Sequence, residues 1–104
     1  MTSAHQGQQK ILFAEFTARR GHEEEVNELL IGLTQQVRQE PGCVAFLPHR
    51  LAENAAKFFV YEIYRDDAAF EQHISAPYGL EFNTRLTPLI EEDASQLTWL
   101  RSIE

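Results

Sequence analysis

Residues 58–78 read FFVYEIYRDDAAFEQHISAPY, and a change of period inside this stretch decides the fold. Over residues 57–64 aromatic and β-branched side chains dominate, with Phe58 and Val60 on one side and Phe59, Tyr61 and Ile63 on the other. That is the pattern of a strand. Asp66 then supplies an N-cap for a short helix through Ala69, Phe70 and His73. Pro77 suits the first turn of another helical segment carrying Tyr78, Phe82, Leu86 and Leu89 along one stripe, which Pro88 kinks or ends.

Working upstream, Cys43–Leu51 reads as a second strand, joined to the first by a polar connection over residues 52–56. Before it, Val26, Leu29, Leu30, Leu33 and Val37 recur at helical spacing, with Glu23, Glu24 and Glu25 in the first turn and Pro41 and Gly42 as the stop. Residues 10–18, KILFAEFTA, form another strand, and residues 95–103, SQLTWLRSI, a closing one. The order β-α-β-β-α-β is that of an α+β, ferredoxin-like domain spanning residues 10–104, an antiparallel sheet with helices on one face. Residues 1–9 read as a loose polar tail, and His5 within it is given no role.

The strands lack the polar alternation of a sheet with one wet face. Ile11 and Phe13 oppose Leu12, Ala14 and Phe16; Val44 and Phe46 oppose Ala45 and Leu47. Helices of this topology cover one face, so the other leaves an apolar patch too large for a soluble monomer. The expected cover is a second copy of the chain, a homodimer packed sheet to sheet.

The net charge of −7 disfavours nucleic acid and anionic membrane surfaces as partners. No apolar run approaches the roughly 20 residues that span a bilayer. Cys43 is the sole cysteine, so there is no internal disulfide and no thiolate zinc cluster. A lone thiol and a polar beginning without a signal-peptide core point to the cytoplasm.

Phosphate loops, zinc signatures, serine triads and dinucleotide fingerprints are absent from the sequence. Candidate chemistry concentrates in residues 61–82. Glu62 is a carboxylate in an apolar strand, and His73 lies one helical turn beyond Ala69 and Phe70, on the side expected to face the sheet. Burying both is costly unless they satisfy each other or a ligand. A carboxylate would also fix the imidazole tautomer and raise its basicity. The same pair also serves as a brace between helix and sheet, the plainer of the two roles, and the pattern leaves both open. Tyr64, Tyr78 and Phe82 are candidate ring contacts beside His73, each equally suited to plain core. His49, near the end of its strand, reaches either the pocket rim or solvent. Cys43 reads as packing.

EPGCVAF (residues 40–46) followed by FFVYEIYRDDAAFEQHISAPY closely resembles the antibiotic biosynthesis monooxygenase domain family. The resemblance covers nearly the whole chain after the tail. It implies a dimeric ferredoxin-like protein, a dimeric α/β-barrel, with a pocket between helices and sheet in each subunit. Some relatives oxygenate quinols or phenols with molecular oxygen and no metal or flavin; others degrade haem or isomerise small metabolites. At the positions that the haem-degrading branch relies on stand Ala14, His73 and Asn83, which argues against haem. Tyr78 stands where many relatives carry a second histidine. The leading expectation is a cofactor-independent monooxygenase acting on a quinol or similar electron-rich aromatic, with no metal. His73 would be the base, Glu62 its orienting partner, and Tyr64, Tyr78 and Phe82 the ring contacts. Two rivals stand beside it: a small-metabolite isomerase and a non-catalytic, ligand-binding or stress-associated dimer.

Overall fold

The computed structural model describes residues 8–104, so His5 and most of the expected tail lie outside the described residues. Strands β1 (Lys10–Thr17), β2 (Cys43–Leu51), β3 (Asn54–Tyr64) and β4 (Gln96–Leu100) form an antiparallel sheet in the order β2-β3-β1-β4. Helices α1 (Glu23–Val37), α2 (Asp67–Ser75) and α3 (Pro77–Leu86) supply the covering layer. The architecture is the expected α+β ferredoxin-like one, and within one chain the sheet stays open rather than closing into a barrel. Among the described residues no helix is long and apolar enough to cross a membrane.

Alternation sorts the side chains as the sequence predicts. Leu12, Ala14, Phe16, Phe46, Phe58, Val60 and Tyr64 are buried on the helix side, where Val26, Leu30 and Val37 of α1 and Phe82 and Leu86 of α3 meet them. One row across the sheet reads Phe46, Glu62, Leu12 and Trp99, so Glu62 sits in an otherwise apolar rank. The opposite face carries Ile11, Phe13, Ala45, Leu47, Phe59, Tyr61 and Ile63, with no helix upon it.

Several boundaries differ from expectation. β3 starts at Asn54, three residues earlier than the composition suggests, because Asn54 already pairs with Leu51. β1 ends at Thr17; Ala18 instead makes an isolated bridge to Ile90. The closing strand is shorter than residues 95–103. Leu89 belongs to a 3-10 turn over Thr87–Leu89, not to α3. A register irregularity between Cys43 and Ala45 leaves Val44 53% exposed instead of sharing the interior with Phe46.

Local chemistry explains the helix positions. Gly21, at φ +90°, takes the left-handed turn that leads from β1 into α1. Asp66 accepts the Ala69 N–H at 2.8 Å, the expected N-cap of α2. Pro77 stands in the first turn of α3. At the far end of α1, the Cys43 N–H donates to the Glu40 carbonyl at 3.1 Å and closes the Glu40–Pro41–Gly42–Cys43 turn. The Arg65 N–H then donates to the Gly42 carbonyl at 2.8 Å. Gly42 is needed here for space: a Cβ on it would lie 2.3 Å from the Ala69 Cβ. Gly42→Ala must therefore push α2 away from the turn. A loss of about 1–3 kcal/mol is expected, the usual cost of overpacking, read as a lowered denaturant midpoint.

Candidate active site between helices and sheet

A cavity of about 300 Å³ lies between the helix layer and the sheet. Its walls are apolar, with Leu12, Ala14, Phe16 and Val60 from the sheet and Leu30, Leu33, Phe70, Phe82 and Leu86 from the helices. Glu62 and His73 are its titratable lining groups; Asn83, Thr87 and Ser95 are its other polar ones. An apolar hollow with a few convergent polar groups is the usual form of a small-molecule site.

His73 sits between two carboxylates. Its Nδ1 lies 3.1 Å from Glu40 Oε2, and its Nε2 lies 3.9 Å from Glu62 Oε1. The Tyr64 hydroxyl donates to Glu62 Oε1 at 2.7 Å, and the Tyr78 hydroxyl donates to Glu40 Oε2. The result is a chain Tyr64–Glu62–His73–Glu40–Tyr78 running from the sheet interior to the outside of the helix layer. The imidazole is held in an aromatic box, its centroid 4.6 Å from Tyr64, 6.1 Å from Phe70 and 6.4 Å from Phe46.

Burial raises Glu62 to about 7; the Tyr64 hydrogen bond opposes the shift, and the Glu40 charge adds to it. Burial and the neighbouring Glu62 charge hold the Tyr64 hydroxyl well above its ordinary range. Tyr78 is raised too, by desolvation and its hydrogen bond to Glu40. Burial and the Glu40 and Glu62 charges push up the Cys43 thiol, which makes it a poor nucleophile.

Of the residues singled out in the sequence, Glu62, His73 and Phe82 line the cavity. Tyr64 is fully buried behind it, against Glu62 and His73, and does not itself line it. Tyr78 turns to Glu40 instead of into the cavity. His49 does not reach the rim. It is exposed on the opposite face of the sheet, edge-on to Phe59 at 6.1 Å, because alternation from Phe46 puts it in line with Ala45 and Leu47. The strand and helix periodicity that pairs Glu62 with His73 does not point to Glu40, yet Glu40 is the nearer carboxylate to His73. Its signal was its place beside the Pro41–Gly42 turn, whose close packing on α2 carries it to the imidazole.

The model of the antibiotic biosynthesis monooxygenase family matches residues 11–85. The chain belongs to that family. All five members of the Tyr64–Glu62–His73–Glu40–Tyr78 chain lie inside the matched stretch. Among solved structures, the Pseudomonas aeruginosa protein PA3566 is similar at 28% identity and TM-score 0.85, with 92% of this chain and 95% of that one covered. Rv0793 of Mycobacterium tuberculosis has 21% identity and TM-score 0.86, with 93% and 97% covered. A candidate antibiotic biosynthesis monooxygenase of Nitrosomonas europaea has 17% identity and TM-score 0.86, with 94% and 93% covered. No curated protein sequence matches the chain.

In this member of the monooxygenase family, Glu62 makes folding sensitive to pH. Its carboxyl titrates near 4.5 when unfolded and near 7 when folded, so the native state binds more protons between those values. Stability is therefore highest below about pH 4.5 on this account and falls as pH rises toward 7. The full span is up to about 3 kcal/mol, from the size of the shift. Urea midpoints at pH 5 and pH 8 measure it, and Glu62→Gln is expected to flatten the difference.

Proposed function

We propose that this protein is a cofactor-independent monooxygenase of electron-rich aromatics such as quinols, with His73 as the base. The observation that carries the reading is the imidazole on the cavity wall, Nδ1 tied to Glu40 and Nε2 left on the side of Glu62. A base there can take a phenolic proton, and the resulting aryloxide passes an electron to oxygen where the neutral phenol cannot. Oxygen then joins a ring carbon. One oxygen atom stays on the ring as the new hydroxyl, and the other leaves as water. Two phenolic hydrogens and one ring hydrogen are displaced; two of them go into the water and the third onto the new hydroxyl, so quinol plus O₂ gives hydroxyquinone plus water. The quinol supplies the four electrons that oxygen accepts. Glu62, on the cavity wall and half-protonated near neutral pH, would return a proton to the departing oxygen. The apolar walls would hold the ring and exclude bulk water.

The test is oxygen uptake with 1,4-naphthalenediol, corrected for uncatalysed oxidation, followed by ¹⁸O₂ labelling. Saturable uptake with one labelled atom in the hydroxyquinone supports the reading. Uptake no faster than the blank across a panel of aromatic diols defeats it.

A bracing role is the second reading, favoured by one observation. Among the described residues, no buried side-chain nitrogen or oxygen lacks a hydrogen-bond partner. It predicts that substituting Glu62 or His73 changes stability alone. We also propose that the working unit is a homodimer in the cytoplasm, a second copy covering the open sheet face; that face is apolar and carries no helix of its own chain.

A further inference from the structure

We propose that Glu40 is the positioning residue of this site: its carboxylate holds His73 as the Nδ1–H tautomer and so turns the Nε2 lone pair toward the cavity. The inference deepens the monooxygenase reading and rests on it for its kinetic consequence, whereas the tautomer is a property of the resting protein.

The geometry carries the argument. A neutral imidazole has one N–H, and the nitrogen that keeps it is set by the better acceptor. Glu40 Oε2 stands at 3.1 Å from Nδ1, within hydrogen-bond distance, while Glu62 Oε1 stands at 3.9 Å from Nε2, beyond it. The Glu62 oxygen that faces Nε2 already accepts the Tyr64 hydroxyl. Both carboxylates are well shielded, their side chains 16% and 8% exposed, and the imidazole is 14% exposed, so water competes poorly for either hydrogen bond.

Glu40 is itself fixed from three directions. The Tyr78 hydroxyl of α3 donates to the same oxygen as His73. Its own carbonyl closes the turn to Cys43. Gly42, two residues on, sits so close to Ala69 of α2 that no Cβ fits between them, which seats the turn against the helix bearing His73. A free histidine side chain favours the hydrogen on Nε2. Without Glu40 the ring would revert toward that form and present an N–H, useless as a base, to the cavity.

The experiment is ¹⁵N NMR of the histidine rings in the full chain at pH 8, with the His73 signals identified by their loss in His73→Gln. In the wild type Nδ1 is expected to show the protonated shift and Nε2 the unprotonated one. Glu40→Ala is expected to reverse or average the two shifts, and Tyr78→Phe, which spares the acceptor, to leave them unchanged. With 1,4-naphthalenediol, Glu40→Ala is expected to lower kcat about 10²-fold with KM within about threefold, since it removes a base and not a binding contact. An Nε2–H or doubly protonated ring in the wild type overturns the proposal, even if the alanine variant does not fold. An unchanged tautomer in a folded Glu40→Ala protein overturns it as well. The expected tautomers without turnover of any diol would instead count against the monooxygenase reading alone.

Discussion

Replacing His73 by alanine is expected to lower turnover of an aromatic diol by about 10²–10⁴-fold, the range that loss of a positioned general base produces. The substitution removes the imidazole that, in the proposed tautomer, turns its lone pair to the cavity; Glu62 is partly protonated near neutral pH, and its facing oxygen already accepts from Tyr64. It leaves each carboxylate one hydrogen-bond donor, Tyr78 for Glu40 and Tyr64 for Glu62, so no bare charge is created. The stability cost should come instead from lost packing against Tyr64, Phe70 and Phe46, roughly 1–3 kcal/mol. His73→Gln fills more of that space and lacks a base, so it should show the same kinetic loss at a smaller cost in stability. Steady-state oxygen uptake and urea unfolding on both variants separate the two effects. Activity within tenfold of the wild type in either variant would remove His73 from the mechanism, and a bracing role would then explain the run of polar contacts from Tyr64 to Tyr78.

The fold was legible because it rests on local periodicity. The period-2 runs of β1 and β3, the helical spacing of α1, the Asp66 cap and Pro77 each act within a few residues, and each appears where the pattern puts it. The Glu62–His73 juxtaposition was legible for the same reason, since strand alternation and one helical turn fix both side chains toward the same interior. Glu40 was not, because it meets His73 across 33 residues of sequence through a turn whose close approach depends on one missing Cβ. Tyr78 follows from Glu40: once that carboxylate stands beside α3, a phenol there finds an acceptor and leaves the cavity. His49 shows the opposite case, where alternation already held the answer and places it on the open face. The bulge at Val44 has no visible local cause in the sequence.

A single charge on the open face should break the proposed dimer. The face is ranked in rows across the strands. Ala45, Ile63, Ile11 and Leu100 form one, Leu47, Tyr61, Phe13 and Thr98 the next, and His49, Phe59, Glu15 and Gln96 the third, with the Thr17–Lys57 pair beyond it. Two ranks are almost wholly apolar, and the third is polar everywhere but at Phe59, with Lys57 3.8 Å from Glu15. Phe13 stands near the centre, stacked on Phe59 with centroids 4.8 Å apart. Phe13→Asp leaves Leu12, Ala14 and Phe16 on the helix side untouched, so the subunit should still fold. In a sheet-to-sheet dimer it places one unpaired carboxylate on each side of a dry interface, and a short side chain cannot carry that charge out to water. The expected result is at least a 100-fold weaker dimerisation constant by sedimentation equilibrium, the factor that about 3 kcal/mol gives. Leu80→Asp, an equally drastic change at an exposed position of α3, should leave the assembly unaltered. A wild type that sediments as a monomer at micromolar concentration, or a Phe13→Asp protein as dimeric as its parent, would mean that something other than a second copy covers these strands.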